Sequence, residues 1–584
     1  MPPPTMAMSA VVSKLLQSNL KHRPDATIQL SEQDRFRRHC CTITTADGGG
    51  PFAFPGALTK EMLMQRTARA AVAAAVAASA SFSTVALAFA TTLPADPREI
   101  IKRSIAALNV GHDLPSITSV KCSALLISRD TQQNDYPDAP RYATVEHAVI
   151  TDDLAGGRLL TQATSINGES YANTLLTADL MQREMLSTNG SWTLVGTAAP
   201  PSWQTQDALR TLALAQAAAD LRLEHPATLH DHMQNVVSFH NKKYLVKVYF
   251  DTLTSLPSAI EATVEYSGAS TQDSALNVWG DVRERTEFLD WRPVEGLRLP
   301  FQRDEFRNDE LYLTVRLSEA HVNVPLVATA FEIQAAARHD AAQRIGVHSL
   351  PLGHSIMDAP NPNHPISEIA PGVVQIPGSW YSTLVRQPDG LVVIDAPISA
   401  EYSQKVLAEA QRRFPGVPVK ALITSTSFLP HVAGIREYAA RGIPIYVRDH
   451  NVALVRRLLA SRHTLVPDDL ERDRKTPIIR AVSDRTVIGS GHNSVLVMPI
   501  RWGTEDMLMT YLPGAHLLHT GAMVQPLGID GALLYPESLL EIKDSVRDEK
   551  LQVDTIIGVH LSPTPWHTVG DTLQASSTGA AVRP

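Results

Sequence analysis

His431 is the first residue whose surroundings allow chemistry. It lies in the stretch from Ala421 to Tyr446, ALITSTSFLPHVAGIREYAARGIPIY. That stretch reads as a short apolar strand (Ala421 to Ile423), a polar turn, a helix and a second strand opened by Gly442-Ile443-Pro444. A strand that ends in a turn from which a helix leaves puts the turn at the carboxyl edge of an α/β sheet, where such folds place their chemistry. Ser425, Thr426 and Ser427 beside His431 could act as nucleophiles with the imidazole as base. No Gly-x-Ser-x-Gly elbow surrounds them, which weighs against that chemistry. A second cluster, His225, His230, His232 and His240, includes the run Leu229-His230-Asp231-His232. It lacks a third partner of known position, so surface histidines are expected there rather than a metal loop. His492 and His519 are read as ordinary packing or surface residues.

The elements that must hold these residues fall into two groups. In the carboxyl-terminal part, the strand Gly390 to Asp395 delivers Asp395 to its end, where it is expected to accept hydrogen bonds that tie down the loop before His431. Ser399 to Phe414 follows as an amphipathic helix, and the small residues Ala433 and Gly434 allow close packing of the next one. In the amino-terminal part, Ile100 to Leu108 is an opening helix, and after it the pattern changes to period two. Tyr142 to Ile150, Tyr244 to Phe250, Ile260 to Tyr266 and Leu311 to Leu317 are predicted strands of one antiparallel sheet with a solvated face. An Ala- and Leu-rich helix is predicted over Gln206 to Leu223. The Pro- and Gly-punctuated residues 338–365 form the connection between the two parts.

Bulk properties narrow the class. A chain of 584 residues exceeds one ordinary core, so two folded domains and a tail are expected. The formal net charge of -8, from Lys+Arg 52 against Asp+Glu 60, gives no basic stripe and no expectation of a nucleic-acid partner. The cysteines Cys40, Cys41 and Cys122 form no CxxC pair, which leaves neither a thiolate zinc site nor a disulfide framework. Residues 64–90 place Arg66 and Arg69 before an uncharged Ala-rich run ending in Ala88-Phe89-Ala90, the parts of a secretory signal peptide cleaved before Thr91. Export to the periplasm or the exterior is therefore expected, with residues 1–63 an extension or an over-long gene start. An uncleaved membrane anchor is the alternative, and the only expected contact with a membrane.

The stretch around His431 resembles the signature of the metallo-β-lactamase-fold hydrolases, Thr-(Ser/His)-His-x-His-x-Asp-His-x-x-Gly. Ile423-Thr424-Ser425 and His431-Val432-Ala433-Gly434 keep its frame, whereas Thr426, Phe428 and Pro430 stand where the family has two histidines and an aspartate. Further runs keep the frame: Thr504 to Pro513, preceded by Gly503 in place of a histidine; Leu517 to Val524, with Ala522 in place of a bridging aspartate; and Ile556 to Trp566, which retains His560. The resemblance implies an α+β chain with a four-layer αββα sandwich over residues 366–575; residues 576–584 are expected to be a disordered tail. It also implies that His431 and His560 are the remnant of a metal site. No cofactor is expected, residual zinc being the alternative. Trp279 to Val282, Phe288 to Pro300 and Val322 to Leu326 resemble the closing strands of a lipoprotein-carrier-like half-barrel, which assigns residues 95–337 to an antiparallel β-rich domain. The expected function is that of a binding module or altered hydrolase taking a small-molecule or lipid-like ligand. A working hydrolase of an ester, lactone, thioester or amide is the alternative.

Overall fold

The computed structural model describes residues 96–577 except 110–115, 130–142, 179, 188–189, 198–205, 267–273, 334, 336–351, 353–364, 379, 501–506, 528–531 and 534. The signal-like run, the residues before it, most of the 338–365 connection and Gly503, Glu505 and Asp506 lie outside them. No helix among the described residues is long and apolar enough to cross a membrane.

The chain begins with α1 (Pro97–Leu108), capped by the Asp96 carboxylate on the Arg98 N–H, with Ile100, Ile101 and Leu108 buried. Strands between Ser119 and Val322 then build a 14-stranded sheet in which neighbours in sequence are mostly neighbours in space. The main departure is Ser119–Arg129, which pairs antiparallel with Glu310–Val322, the last strand. Period-two burial is visible in Pro257–Glu265 and Tyr244–Asp251, as alternation of apolar and polar side chains requires. Two-residue turns with positive φ close the hairpins: Glu295-Gly296 joins Val294 to Leu297, and Asn308-Asp309 joins Arg307 to Glu310.

Three boundaries differ from expectation. The helix predicted over Gln206 to Leu223 is α2, Ala208–Ala217 only, begun by the Asp207 side chain on the Arg210 N–H. It stops because Asp220 binds the His240 backbone and ring, and Arg222–Leu223 joins the sheet beside His232–Asn241. The predicted closing strand Val322 to Leu326 ends at Val322, since Asn323 turns the chain at φ 56. Trp279 belongs to a 3-10 turn, Ser274–Trp279, and the strand after it starts at Asp281.

The carboxyl-terminal half contains two further sheets. The first has seven strands, in chain order from Ser367–Ala370 to Ile479–Val482. Its central pairs Gly390–Ile394 with Val419–Ile423, and Val419–Ile423 with Ile445–Arg448, are parallel. The second has six, from Thr486–Ile488 to Thr564–Pro565, antiparallel except where Leu517–His519 meets Thr555–Ile557. Val392, Ile394, Ala421 and Ile423 of the first sheet share one apolar cluster with Val495, Val497, Leu508 and Leu517 of the second. The first sheet's other set, Leu391, Val393, Leu422 and Ile445, packs with helices: α3 (Ala400–Arg413), α4 (Leu429–Val432), α5 (Ile435–Ala440) and α6 (Val452–Ala460). The second sheet's Leu496, Met498, Met509 and Ile556 pack with α8 (Pro536–Asp548) and α9 (His567–Ser577), after the short α7 (Asp469–Arg472). Alternating strand residues thus serve two cores, which is why these strands are apolar throughout.

Candidate functional site

The loop before His431 is fastened from below. Asp395 ends its strand in the left-handed region, φ 63, and is fully buried. Its Oδ1 accepts the Ser425 N–H at 2.7 Å and its Oδ2 the Ser425 hydroxyl at 2.9 Å. Asp395 is therefore the acceptor that ties down the loop. Ser425 spends its hydroxyl on that carboxylate, and neither ring nitrogen of His431 has a hydrogen-bond partner, so none of the three hydroxyls is paired with the imidazole. From the second sheet, His519 lies with Nε2 3.5 Å from Asp395 Oδ2 and is fully buried. Its Nδ1 accepts the Gly521 N–H at 3.2 Å, so a neutral ring carries its proton on Nε2, facing the carboxylate. Burial raises the Asp395 carboxyl to about 7 against the pull of the Ser425 hydrogen bonds. Burial also pushes the His519 imidazole down to about 3.

Above this tie, His431 and His560 meet edge to face, ring centroids 4.8 Å apart. Phe428 stands perpendicular to the His431 ring at 4.8 Å, and Trp380 crosses it at 5.6 Å. His431 is fully buried, and neither of its ring nitrogens has a hydrogen-bond partner; the Nε2 of the partly buried His560 has none either. Burial first, and then the neighbouring His560, hold His431 well below the ordinary imidazole range, and burial pushes His560 down to about 3. Both rings are thus neutral at ordinary pH, the form with a free lone pair.

A hydrolytic zinc takes three protein ligands and an open position for water. The two imidazoles fall one short. Thr426 is buried and its hydroxyl accepts the Phe428 N–H at 3.1 Å, which stiffens the turn. Phe428 and Ala522 offer no donor atom, and the Pro430 carbonyl accepts the Ile398 N–H at 2.8 Å. No group of three or more His, Cys, Asp or Glu side chains that could hold a metal occurs among the described residues. Among the described residues the donor set falls one ligand short of a catalytic zinc centre.

Sequence reasoning paired His431 with His560 and placed Asp395 under the loop; the structure brings both arrangements together. It missed the approach of His519 to Asp395 and the Trp380 wall, because both come from segments distant in sequence. His492 is exposed. The amino-terminal histidines scatter among carboxylates: His230 sits 3.0 Å from Glu287, His232 2.7 Å from Asp251 and His240 2.6 Å from Asp220. His230-Asp231 is simply the left-handed turn between Ala227–Leu229 and His232–Asn241.

No family model and no curated protein matches the chain. Among solved structures the chain is similar to metallo-β-lactamases. One is the metallo-beta-lactamase from Pontibacter korlensis, 17% identical, TM-score 0.29, covering 36% of this chain and 96% of that one. Another is TMB-1, 16% identical, TM-score 0.28, covering 38% and 100%. A third is DIM-1 metallo-beta-lactamase, 14% identical, TM-score 0.28, covering 37% and 97%. With scores this low, the fold is to be read from this chain's own strand order and cores.

Proposed function

We propose that residues 366–575 are a four-layer αββα sandwich of the metallo-β-lactamase kind that has shed its hydrolytic zinc centre and serves as a binding module. The two stacked sheets, with helices packed on the far side of each, support the fold. The observation that carries the function is the His431–His560 contact, two neutral imidazoles walled by Phe428 and Trp380 with no third ligand among the described residues. Among the described residues Zn²⁺ at that spot would have two imidazole ligands, one short of a hydrolytic centre. A small-molecule or lipid-like ligand suits such an uncharged, aromatic-walled site better. The large amino-terminal sheet is proposed as a half-barrel-like packing partner, and the chain as an exported protein. A membrane would be met only through an uncleaved segment at residues 64–90.

One observation favours a second reading, a hydrolase with a depleted one-metal site: three ring nitrogens of the pair are without hydrogen bonds. Turnover of ester, lactone, thioester and β-lactam substrates, measured across pH with and without added zinc, separates the two. The binding reading expects no turnover above background in a folded protein. Turnover that disappears in His560→Ala would overturn it in favour of the hydrolase.

A further inference from the structure

We propose that Asn277 and Val278, which belong to the amino-terminal half, are positioning residues for His431. The 3-10 turn Ser274–Trp279 leaves the large sheet and lodges in the other half. Val278 is only 1% exposed and shares an apolar cluster with Trp380, Leu429 and Val432, the residues around His431. Trp279 packs against that cluster and against the core of the large sheet as well.

A short chain of hydrogen bonds runs from this turn to the histidine. The Asn277 side-chain amide donates to the Ile398 carbonyl at 2.9 Å, and the Ile398 N–H donates to the Pro430 carbonyl at 2.8 Å, one residue before His431. Ile398 itself sits at φ 74. A β-branched residue in the left-handed region is strained and persists only where its surroundings over-determine it. Asn277 and Pro430 hold it from its two sides, and one of those holds comes from the other half of the molecule.

The turn is itself anchored. The Val278 carbonyl accepts from the Ser461 hydroxyl at 3.3 Å and faces His463 Nε2 at 3.2 Å. The Asp281 carboxylate accepts the Thr464 and Leu465 N–H groups at 2.9 and 3.0 Å. Gly280 is obligatory between them, at φ +65 and with a would-be Cβ 2.2 Å from the His463 ring. A turn pinned at this many points transmits position rather than merely filling space.

The test uses the full chain and Asn277→Asp, which keeps the shape, removes the donor and sets a carboxylate against the Ile398 carbonyl. Two readouts apply: backbone hydrogen exchange over 395–399 and 428–434, and the ring cross-peaks of His431 and His560 in nitrogen-15 spectra. Exchange in both segments is expected to quicken about tenfold, the equivalent of one lost hydrogen bond. The cross-peaks of His431 and His560 are expected to shift while those of His232 and His516 stay in place. Val278→Ala, which shrinks the wedge without adding charge, is expected to act in the same direction and stands in if Asn277→Asp does not fold. Unchanged exchange and unchanged ring signals in a folded variant would overturn the proposal. So would an even acceleration across both halves, which marks general loosening.

Discussion

At the scale of the residue, the imidazole of His431 is the anomaly. A buried polar group without a hydrogen bond costs about 1 to 3 kcal/mol, and His431 has two such nitrogens. Without a ligand to satisfy them, an apolar side chain of similar size should be tolerated better. His431→Leu is expected to raise the unfolding free energy at pH 7 by about 1 kcal/mol, read by urea denaturation. The sign of the pH response follows from the same burial. His431, His519 and His560 all lie below the ordinary 6.5, so acidification lets the unfolded chain take up protons that the folded chain refuses, and stability falls as pH drops below 6.5. Asp395, raised from 3.8 to about 7, works the other way, since the folded protein keeps a proton that the unfolded chain has lost, and its contribution fades as pH rises through that window. Three imidazoles outweigh one carboxyl, so a net acid loss is expected. In His431→Leu the fall in stability below pH 6.5 should be shallower, by at most about 1.4 kcal/mol per pH unit, the value of one proton. Equal slopes in the two proteins would place His431 in contact with water.

At the scale of the element, the loop between Val419–Ile423 and α4 keeps its shape through residues other than metal ligands. Ser425 is tied to Asp395, Thr426 caps the turn, and Gly434 lets α5 approach α3. A Cβ on Gly434 would lie 1.9 Å from Ser403 Oγ and 2.7 Å from the Ser399 carbonyl. Gly434→Ala is therefore expected to cost about 2 to 3 kcal/mol, and Ser403→Gly in the same chain should recover only part of it, because the carbonyl cannot leave. Full tolerance of Gly434→Ala in thermal unfolding would contradict the close approach. These local features were legible because small residues and strand-end acids have local signatures: Gly434 and Asp395 could be placed from the sequence. The early end of α2 was not, because the Ala-rich run after Ala217 looks helical until Asp220 finds His240 across the chain. The expected single helix after His431 is two, α4 and α5, divided at Ala433-Gly434.

At the scale of the whole molecule, the two halves are joined through side chains as well as through the 338–365 connection. Trp279 takes part in both apolar clusters, and Asp281 binds the backbone after α6. Strand alternation made the architecture of each half readable, whereas these cross-contacts pair residues nearly two hundred positions apart and leave no periodic trace. A long separation in sequence likewise hid His519 from Asp395. The loop before His431 is braced from below, while among the described residues the donors gathered above it are two rings. Elemental analysis of the purified full chain, produced with ample zinc and freed of loosely held ions, tests that directly. Well under one zinc per chain is expected. Stoichiometric zinc, lost on His431→Ala or on His560→Ala, would contradict the account.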